Sequence, residues 1–186
     1  MRRIKTKLDI EKENREKQIM VGIVMIFLLI ISTLGYSLMS RDDVIKQSKI
    51  EENGLEFTNV NGYWETIINN EVFIFSNLPS EVSDVNISGS YQLGEYTGDV
   101  IYFVNGEEGI SEILNNIGRY ALRYQRACLS EENCLDDIPI KDCNNNLIVF
   151  EEGIVSKIYK NESCVYIIGN ETKGADAFLY NVLGVS

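Results

Sequence analysis

Four cysteines are the residues of this chain best suited to chemistry, and three of them lie within one short acidic stretch. They are Cys128, Cys134, Cys143 and Cys164, in a chain of 186 residues that contains no histidine. A zinc site would show closely spaced cysteine pairs or histidines, and a thioredoxin-like site would show two cysteines separated by two residues. Neither pattern is present, so the sequence favours two disulfides.

The positions of the cysteines also indicate how they pair. Cys128 and Cys134 lie 6 residues apart and can close a small local ring. Cys143 precedes one predicted strand and Cys164 begins another, so both lie at the same end of a sheet if these strands are parallel neighbours. Adjacent strands are about 4.8 Å apart, which a disulfide can span. We therefore predict the pairs Cys128–Cys134 and Cys143–Cys164.

Other catalytic or metal-binding patterns are weak in this sequence. Without histidine, no serine or cysteine has the base of the common hydrolase triads. Asp142 begins a calcium-like pattern, but Leu147 and Gly153 stand where an EF-hand requires glycine and glutamate. The sequence therefore predicts no catalytic residue, no metal ligand and no cofactor.

Two groups of polar residues are candidates for binding or modification. Arg119, Arg123 and Arg126 would share one face of a predicted helix, where they could bind a carboxylate or a phosphate. The alternative is a solvated face of an acidic protein. Glycosylation sequons begin at Asn86, Asn161 and Asn170. In a chain so rich in asparagine, serine and threonine, these sequons are compatible with a location outside the cell without indicating it.

A membrane anchor is the clearest element of the sequence. Residues 19–39 carry no charge, and as a helix they are long enough to cross the ~30 Å apolar core of a bilayer. A cleaved signal peptide would have a shorter apolar stretch and a small-residue cleavage site, which the sequence GYSLMS fits poorly. We therefore predict a transmembrane helix that is retained in the mature protein.

The charges on either side of this segment predict its orientation. Residues 1–18 carry seven bases and four acids, whereas residues 40–54 carry three bases. The positive-inside rule then keeps residues 1–18 in the cytoplasm of a protein located in the cell membrane. Because these residues contribute +3 to the net charge of −11, the rest of the chain carries −14. The sequence predicts an acidic extracytoplasmic domain, in a location where disulfides persist and with nucleic acid disfavoured as a partner.

Strand and turn signals alternate through this exterior domain. A short stalk is predicted for residues 40–54, and three strands follow in a meander. The turn pairs Asn61-Gly62 and Asn69-Asn70 between them suit tight hairpins. Strands are predicted at residues 55–60, 63–68, 71–76, 84–88, 99–104, 147–150, 154–159 and 164–168. The short links between the last three predict antiparallel neighbours.

The first amphipathic helix of this domain is predicted after Asn105, which would cap it together with Glu108. Apolar residues recur at spacings of three and four from Ile110 to Tyr124. Acidic residues precede the basic ones along this stretch, an order that complements the helix dipole. We therefore predict that this helix packs one apolar face on the sheet.

A second helix is predicted near the C-terminus. Its apolar stripe runs from Ala175 to Leu183, and Gly184 supplies a stop. Residues 55–186 would then form one domain in which two helices cover a sheet. The predicted fold class is α+β: an N-terminal transmembrane helix followed by an antiparallel sheet packed against two helices.

Four segments carry a resemblance to known proteins: NGYWETIINNEVFIFSNLPSEV, KDCNNNLIVF, ESCVYIIGN and ADAFLYNVLGV. Together they resemble uncharacterised archaeal single-pass membrane proteins with a small extracytoplasmic domain, over about residues 54–186. The resemblance implies the same placement relative to the membrane and no particular activity.

The predicted function is that of a membrane-anchored extracytoplasmic domain without catalytic activity. It would serve binding to a protein partner, assembly or the organisation of the cell surface. One alternative is a carboxylate- or thiol-based extracytoplasmic enzyme, because 24 of the 28 acidic residues follow the anchor. The other is a pilin-like surface subunit, although REKQIMVG lacks an obvious processing site and no glutamate enters the apolar segment.

Overall fold

The computed structural model has two units, residues 1–46 and 47–186. It describes residues 7–39, 48–129, 134 and 137–185, and for residues 7–14 and 33–39 it describes the backbone alone. Helix α1 (Lys7–Met39) lies in the first unit, and its large apolar side chains from Ile19 to Ile31 are exposed. In the part of the chain that the structure describes, no helix is long and apolar enough to cross a membrane.

Strand β1 (Lys49–Glu52) begins the second unit and shortens the predicted stalk. Residues 40–47 of that stalk lie outside the described residues. Ile50 pairs with Phe57 of the next strand and packs against the core. Ile50 therefore anchors an edge strand to the core.

The first sheet is an antiparallel meander in the order β1-β2-β3-β4. Its other strands are β2 (Leu55–Val60), β3 (Tyr63–Ile68) and β4 (Glu71–Phe75). The predicted turn residues Asn61, Gly62, Asn69 and Asn70 all have positive φ, between 52° and 92°. Asparagine and glycine tolerate this left-handed conformation best, so local turn chemistry confirms the three predicted strands.

The second sheet has six strands in the order β5-β9-β10-β8-β6-β7. They are β5 (Asn86–Ile87), β6 (Val100–Val104), β7 (Arg123–Arg126), β8 (Leu147–Glu151), β9 (Lys157–Asn161) and β10 (Cys164–Ile168). In this sheet β9 and β10 pair antiparallel, and the other four pairs are parallel. The α+β class is confirmed, and so is the antiparallel pairing of β9 with β10, but the prediction of an antiparallel sheet is wrong for the other four strand pairs.

The link between β8 and β9 accounts for one of these parallel pairs, β8 with β10. The sequence predicts β8 and β9 as antiparallel neighbours, whereas β10 lies between them. Ile154 and Val155, which belong to the predicted strand 154–159, are fully or largely exposed in the link, and β9 begins at Lys157. The link thus carries the chain one strand further across the sheet, so β8 and β10 become parallel neighbours.

Helix α2 (Glu108–Ile117) is shorter than the predicted helix. It ends at Gly118, a poor helix former, and the apolar residues that continued the helical spacing leave the helix. Tyr124 lies instead in β7. Asn105, the predicted cap, has a φ of 56° and its side chain donates a hydrogen bond to the Phe150 carbonyl, so it turns the chain instead of capping the helix.

Helix α3 (Glu171–Leu183) confirms the predicted C-terminal helix. The Asn170 side chain accepts a hydrogen bond from the Lys173 backbone N–H at 2.9 Å, which caps the first turn. Gly184 ends the helix with a φ of 73°, as predicted from its position after the apolar stripe.

The main core joins both sheets to α2 and α3. It holds alternate residues of the six-stranded sheet, the inner face of the meander and the apolar stripes of the two helices. The largest side chains fully buried in it are Phe57, Phe75, Phe103, Phe178, Ile101, Ile113, Ile117, Ile148, Ile158, Ile167 and Leu179. Both helices therefore lie on one face of the six-stranded sheet, and the opposite face is left to other parts of the chain.

Side chains of α2 bond to the outer edge of β4, the last strand of the meander. The Asn116 amide donates to the Ile74 carbonyl at 2.7 Å and accepts from the Ile74 N–H at 2.8 Å, as a neighbouring strand would. The Arg119 guanidinium donates to the Val72 carbonyl at 3.0 Å. These bonds satisfy backbone groups that an unpaired edge strand would leave open.

The same edge continues beyond β4, where two more residues are held by side chains. Glu112 accepts a hydrogen bond from the Ser76 N–H at 2.7 Å. Asp176 accepts from the Asn77 N–H at 2.8 Å, and the Tyr180 hydroxyl donates to the Asn77 carbonyl at 2.6 Å. We call Asn116, Glu112, Asp176 and Tyr180 the polar seam.

Two carboxyl groups lie close together in this seam. Asp176 is 0% exposed and Glu112 is 6% exposed. Asp176 Oδ2 accepts from both nitrogens of Asn77, whereas no hydrogen-bond partner reaches Oδ1 among the described residues. Burial, followed by the hydrogen bond and the charge of Glu112, raises the pKa of Asp176 well above its usual range. The raised pKa means that Asp176 keeps its proton at neutral pH.

The variant Asp176→Asn should therefore weaken the pH dependence of stability. Folded Asp176 keeps its proton at pH values where the unfolded group, with a pKa of about 4, has lost it. Its contribution is fully present below about pH 4 and is lost as the pH rises through the raised pKa of the folded group. An asparagine accepts from Asn77 and donates to Glu112 without a titrating proton. From about pH 5 to pH 8, thermal unfolding should show a falling melting temperature for the wild type and a flatter profile for the variant.

The matched control is Asp84→Asn. Asp84 is exposed and forms a 2.6 Å ion pair with Lys173, and the hydrogen bond from Lys173 lowers its pKa. Its titration falls below the tested pH interval, so this variant should keep the wild-type slope. Equal slopes for Asp176→Asn and the wild type would contradict a protonated Asp176.

Candidate binding face

The two predicted disulfides are confirmed by the positions of the cysteines. The Cα atoms of Cys128 and Cys134 are 5.6 Å apart, and those of Cys143 and Cys164 are 4.9 Å apart. Cys164 pairs in register with Leu147 of β8, which places Cys143 at the same end of two parallel neighbours. All four cysteine sulfurs are therefore engaged in disulfides.

The three candidate arginines do not form the predicted cluster. Because α2 ends at Gly118, Arg119 lies in a turn, and Arg123 and Arg126 lie at the two ends of β7. Arg119 pairs with Glu71 at 3.1 Å and Arg126 with Glu107 at 3.6 Å. The prediction of one shared helical face is wrong, and Arg123 is separated from the other two.

Three tyrosines lie on the face of the six-stranded sheet that faces away from the helices. Tyr102 belongs to β6, Tyr159 to β9 and Tyr166 to β10. Strand register places Arg123 and Lys157 on the same face, and Lys141 reaches it from the cysteine-rich loop. We call Tyr102, Tyr159, Tyr166, Arg123, Lys141 and Lys157 the tyrosine face. It combines aromatic and basic side chains in a domain that is otherwise acidic.

Tyr102 occupies the side of this face nearest to β7. The Lys141 ammonium lies 4.8 Å from the centre of its ring, and strand register places Arg123 on the same face of the adjacent strand. Burial opposes ionisation of the phenol, but the positive groups of Lys141 and Arg123 outweigh it and lower the pKa of Tyr102. The surroundings of this hydroxyl therefore stabilise negative charge.

Tyr159 and Tyr166 form the other side of the face. Their rings stack with centres 4.8 Å apart and planes within 5° of parallel, and the Lys157 ammonium lies 5.7 Å from the Tyr159 ring. Burial, then the charge of Glu151 and the neighbouring Tyr166, raises the pKa of Tyr159. Tyr166 and Tyr159 are both half-buried, so each ring also presents surface to a partner.

Between the two sides, apolar residues and one disulfide support the tyrosines. Leu147, Val149 and Cys164 are at most 1% exposed and pack with Tyr102 in a second small core. Cys143 lies beside this core, with its sulfur 3.9 Å from the Tyr166 hydroxyl. The Cys143–Cys164 disulfide thus fixes the loop that brings Lys141 to the face.

The carboxyl ends of the parallel strands form a separate acidic cavity of about 500 Å³, lined in part by Glu151, Glu152 and Glu171. Parallel sheets often bind ligands at this edge, and helix N-termini there often bind anions. Here Glu171 Oε2 accepts hydrogen bonds of 2.9–3.3 Å from the backbone N–H groups of residues 107–109. The chain's own carboxylate therefore occupies the place that a bound phosphate would take.

The sequon asparagines Asn86, Asn161 and Asn170 are all exposed. Asn170 uses its side-chain oxygen to cap α3, which leaves the amide nitrogen as the atom to which a glycan would attach. Exposure makes the three sites accessible and does not show that they are modified.

Comparison of this chain with protein-family models, with curated proteins and with solved structures finds no match. Among the described residues, no group of three or more histidine, cysteine or acidic side chains could hold a metal ion.

Sequence reasoning misses the tyrosine face because its members come from distant parts of the chain. Tyr102 and Tyr166 share a face only once β8 pairs with both β6 and β10 in parallel. One signal does exist in the sequence. Tyr159 and Tyr166 lie in two strands that a short turn connects, at positions that are opposite each other when the strands pair as a hairpin. That spacing indicates a cross-strand aromatic pair.

Removing the disulfides by alanine substitution should affect stability unequally. The pair Cys143–Cys164 closes a sequence separation of 21 and the pair Cys128–Cys134 one of 6. Chain entropy then predicts losses of about 3 and about 2 kcal/mol, respectively. Cys164 is also fully buried, so its loss removes packing in addition. Urea unfolding of the two double variants should rank Cys143→Ala/Cys164→Ala as the less stable.

Non-reducing peptide mapping of the wild type is the control for this comparison. A peptide that links Cys134 to Cys143 would contradict the pairing itself. A greater loss of stability in Cys128→Ala/Cys134→Ala would contradict the ranking.

Proposed function

We propose that this protein is a membrane-anchored extracytoplasmic domain that binds a partner through the tyrosine face. The observation that carries the binding part of the proposal is the convergence of three tyrosines and three bases on one sheet face of an acidic domain. Aromatic and arginine side chains are enriched where proteins bind partners, because they combine large contact area with polar bonding.

The proposed anchor is residues 19–39, which carry no charge. Helix α1 contains this segment, and the exposed apolar side chains from Ile19 to Ile31 need an apolar surrounding. Residues 33–39 of the segment lie beyond Ser32, the last residue of α1 whose side chain is described. The basic residues before the segment support a cytoplasmic N-terminus.

The two disulfides support the placement of the second unit outside the cytoplasm. Disulfides form and persist in oxidising compartments and are rare in the cytosol. Both pairs lie in the part of the chain that follows the proposed anchor. The proposed orientation of the anchor and the pairing of the cysteines thus both favour an extracytoplasmic position for the second unit.

A protease added to intact cells tests the placement. It should digest the domain after Arg41 and leave the N-terminal segment within the cell, as read by antibodies to tags at the two ends. Lysed cells provide the control, in which both ends are accessible. Protection of the C-terminal tag until lysis would overturn the proposed orientation.

Site-specific photo-crosslinking in intact cells tests the binding face. A benzoylphenylalanine in place of Tyr159 should give a defined cross-linked product, because Tyr159 belongs to the tyrosine face. The matched control places the same group at Tyr63, which is 51% exposed on the meander. Equal products from both positions, or none from Tyr159, would contradict binding through this face.

A further inference from the structure

We propose that Arg123, Lys141 and the Tyr102 hydroxyl form a binding site for an anionic oxygen group, such as a carboxylate or a phosphate. This inference rests on the proposed function and names the chemistry that one side of the tyrosine face recognises. The site differs from the arginine cluster that the sequence predicts, because it keeps one of those arginines and adds a lysine and a tyrosine.

Three elements bring these groups together. Arg123 of β7 pairs with Val100 of β6, so its side chain and that of Tyr102 emerge on the same face of adjacent strands. Lys141 follows Ile140, which pairs with Cys128 just beyond β7. The backbone bond from the Lys141 N–H to the Cys128 carbonyl, at 2.8 Å, fixes the point where this lysine starts. The Cys143–Cys164 disulfide holds the loop two residues later.

Neither cation has an ion-pair partner among the described residues, which distinguishes them from other bases of the domain. Described ion pairs engage Lys49, Arg119, Arg126, Lys160 and Lys173. Arg123 is exposed and Lys141 is half-buried, and both lie beside Tyr102 on the same face of the sheet. Two positive charges therefore flank this tyrosine, and no ion pair with a described residue neutralises either of them.

The carboxylates closest in sequence are engaged elsewhere. Asp142, next to Lys141, accepts hydrogen bonds from Asn144 and Asn145. Asp99, next to Val100, accepts from the Val100 N–H and from the Asn146 amide. Among the described residues, neither aspartate forms an ion pair with Arg123 or Lys141.

The arrangement suits an anion for a chemical reason. A guanidinium offers paired N–H donors, an ammonium offers a compact charge and a phenol offers one O–H donor, all of which bond well to a carboxylate or phosphate oxygen. The lowered pKa of Tyr102 is the effect of these two cations on the phenol, and it has the sign expected of a site that favours negative charge. A bound anion would place its oxygens where that charge is favoured.

The test uses the full disulfide-bonded chain in detergent micelles, labelled with ¹⁵N-arginine. The probes are inorganic phosphate and acetate, added at constant ionic strength with chloride as the replaced ion. We expect a saturable shift of the Arg123 side-chain N–H resonance with a Kd in the millimolar range, about what a few exposed charge-assisted bonds give. A response to phosphate alone would indicate a phosphoryl-bearing ligand, and a response to acetate a carboxylate-bearing one. The Arg126 resonance serves as an internal control, because Arg126 already pairs with Glu107.

Two substitutions separate the site from general attraction to a basic surface. Lys141→Ala should weaken the binding of the responding probe about tenfold, which corresponds to the loss of one charge-assisted bond. Lys157→Ala, on the other side of the tyrosine face, should leave it nearly unchanged. The proposal fails if Arg123 shows no saturable shift with either probe, or if both variants behave alike. Cross-linking from Tyr159 together with a silent Arg123 would reject the anion site while leaving the proposed function intact.

Discussion

The polar seam is the interaction on which the arrangement of the second unit depends. A meander of four strands has two open edges, and β4 turns one of them toward the interior, where its N–H and C=O groups would otherwise lack partners. Asn116 bonds to Ile74 as a fifth strand would, and Asp176 and Tyr180 hold Asn77 just beyond it. Helices thus complete a sheet edge with side chains. Because α2 and α3 also cover the second sheet, one set of hydrogen bonds joins both sheets into one core.

Because α2 and α3 both cover one face of the six-stranded sheet, the proposed binding site lies on the opposite face. The inner residues of the six-stranded sheet go to the shared core, and the outer residues remain for the cysteine-rich loop and the tyrosines. At the carboxyl end of the parallel strands, Glu171 bonds to the α2 N-terminus and makes that edge acidic. In the described part of the chain, Arg123 and Lys141 have no ion-pair partner and lie on the face away from the helices. The acidic edge and the basic face of this sheet are therefore separate, and the proposed anion site lies on the basic face.

The features that the sequence predicts correctly depend on short-range chemistry. Asn61-Gly62 and Asn69-Asn70 impose left-handed turns, and Gly184 ends a helix whose stripe is regular. The disulfide pairing follows from one assumption, that the strand after Cys143 and the strand that begins at Cys164 are parallel neighbours. The errors arise where contacts between distant segments of the chain determine the secondary structure. Tyr124 fits a helical spacing, yet it lies in β7 because pairing with β6 satisfies the backbone hydrogen bonds of that segment. The sequence does not indicate the polar seam or the tyrosine face, because the seam bonds residues 36 to 103 positions apart and Tyr102 lies 64 positions before Tyr166.

The disulfide between Cys143 and Cys164 has a mechanical consequence. It closes a ring around β8 and β9, with a sequence separation of 21 and 4.9 Å between its two Cα atoms. When a chain is stretched from its ends, each released residue adds at most about 3.5 Å to its contour length. The ring withholds roughly 70 Å of that length, because tension passes across the sulfur bridge instead of along the enclosed backbone. β8 and β9 would therefore carry no tensile load even after the surrounding strands had separated.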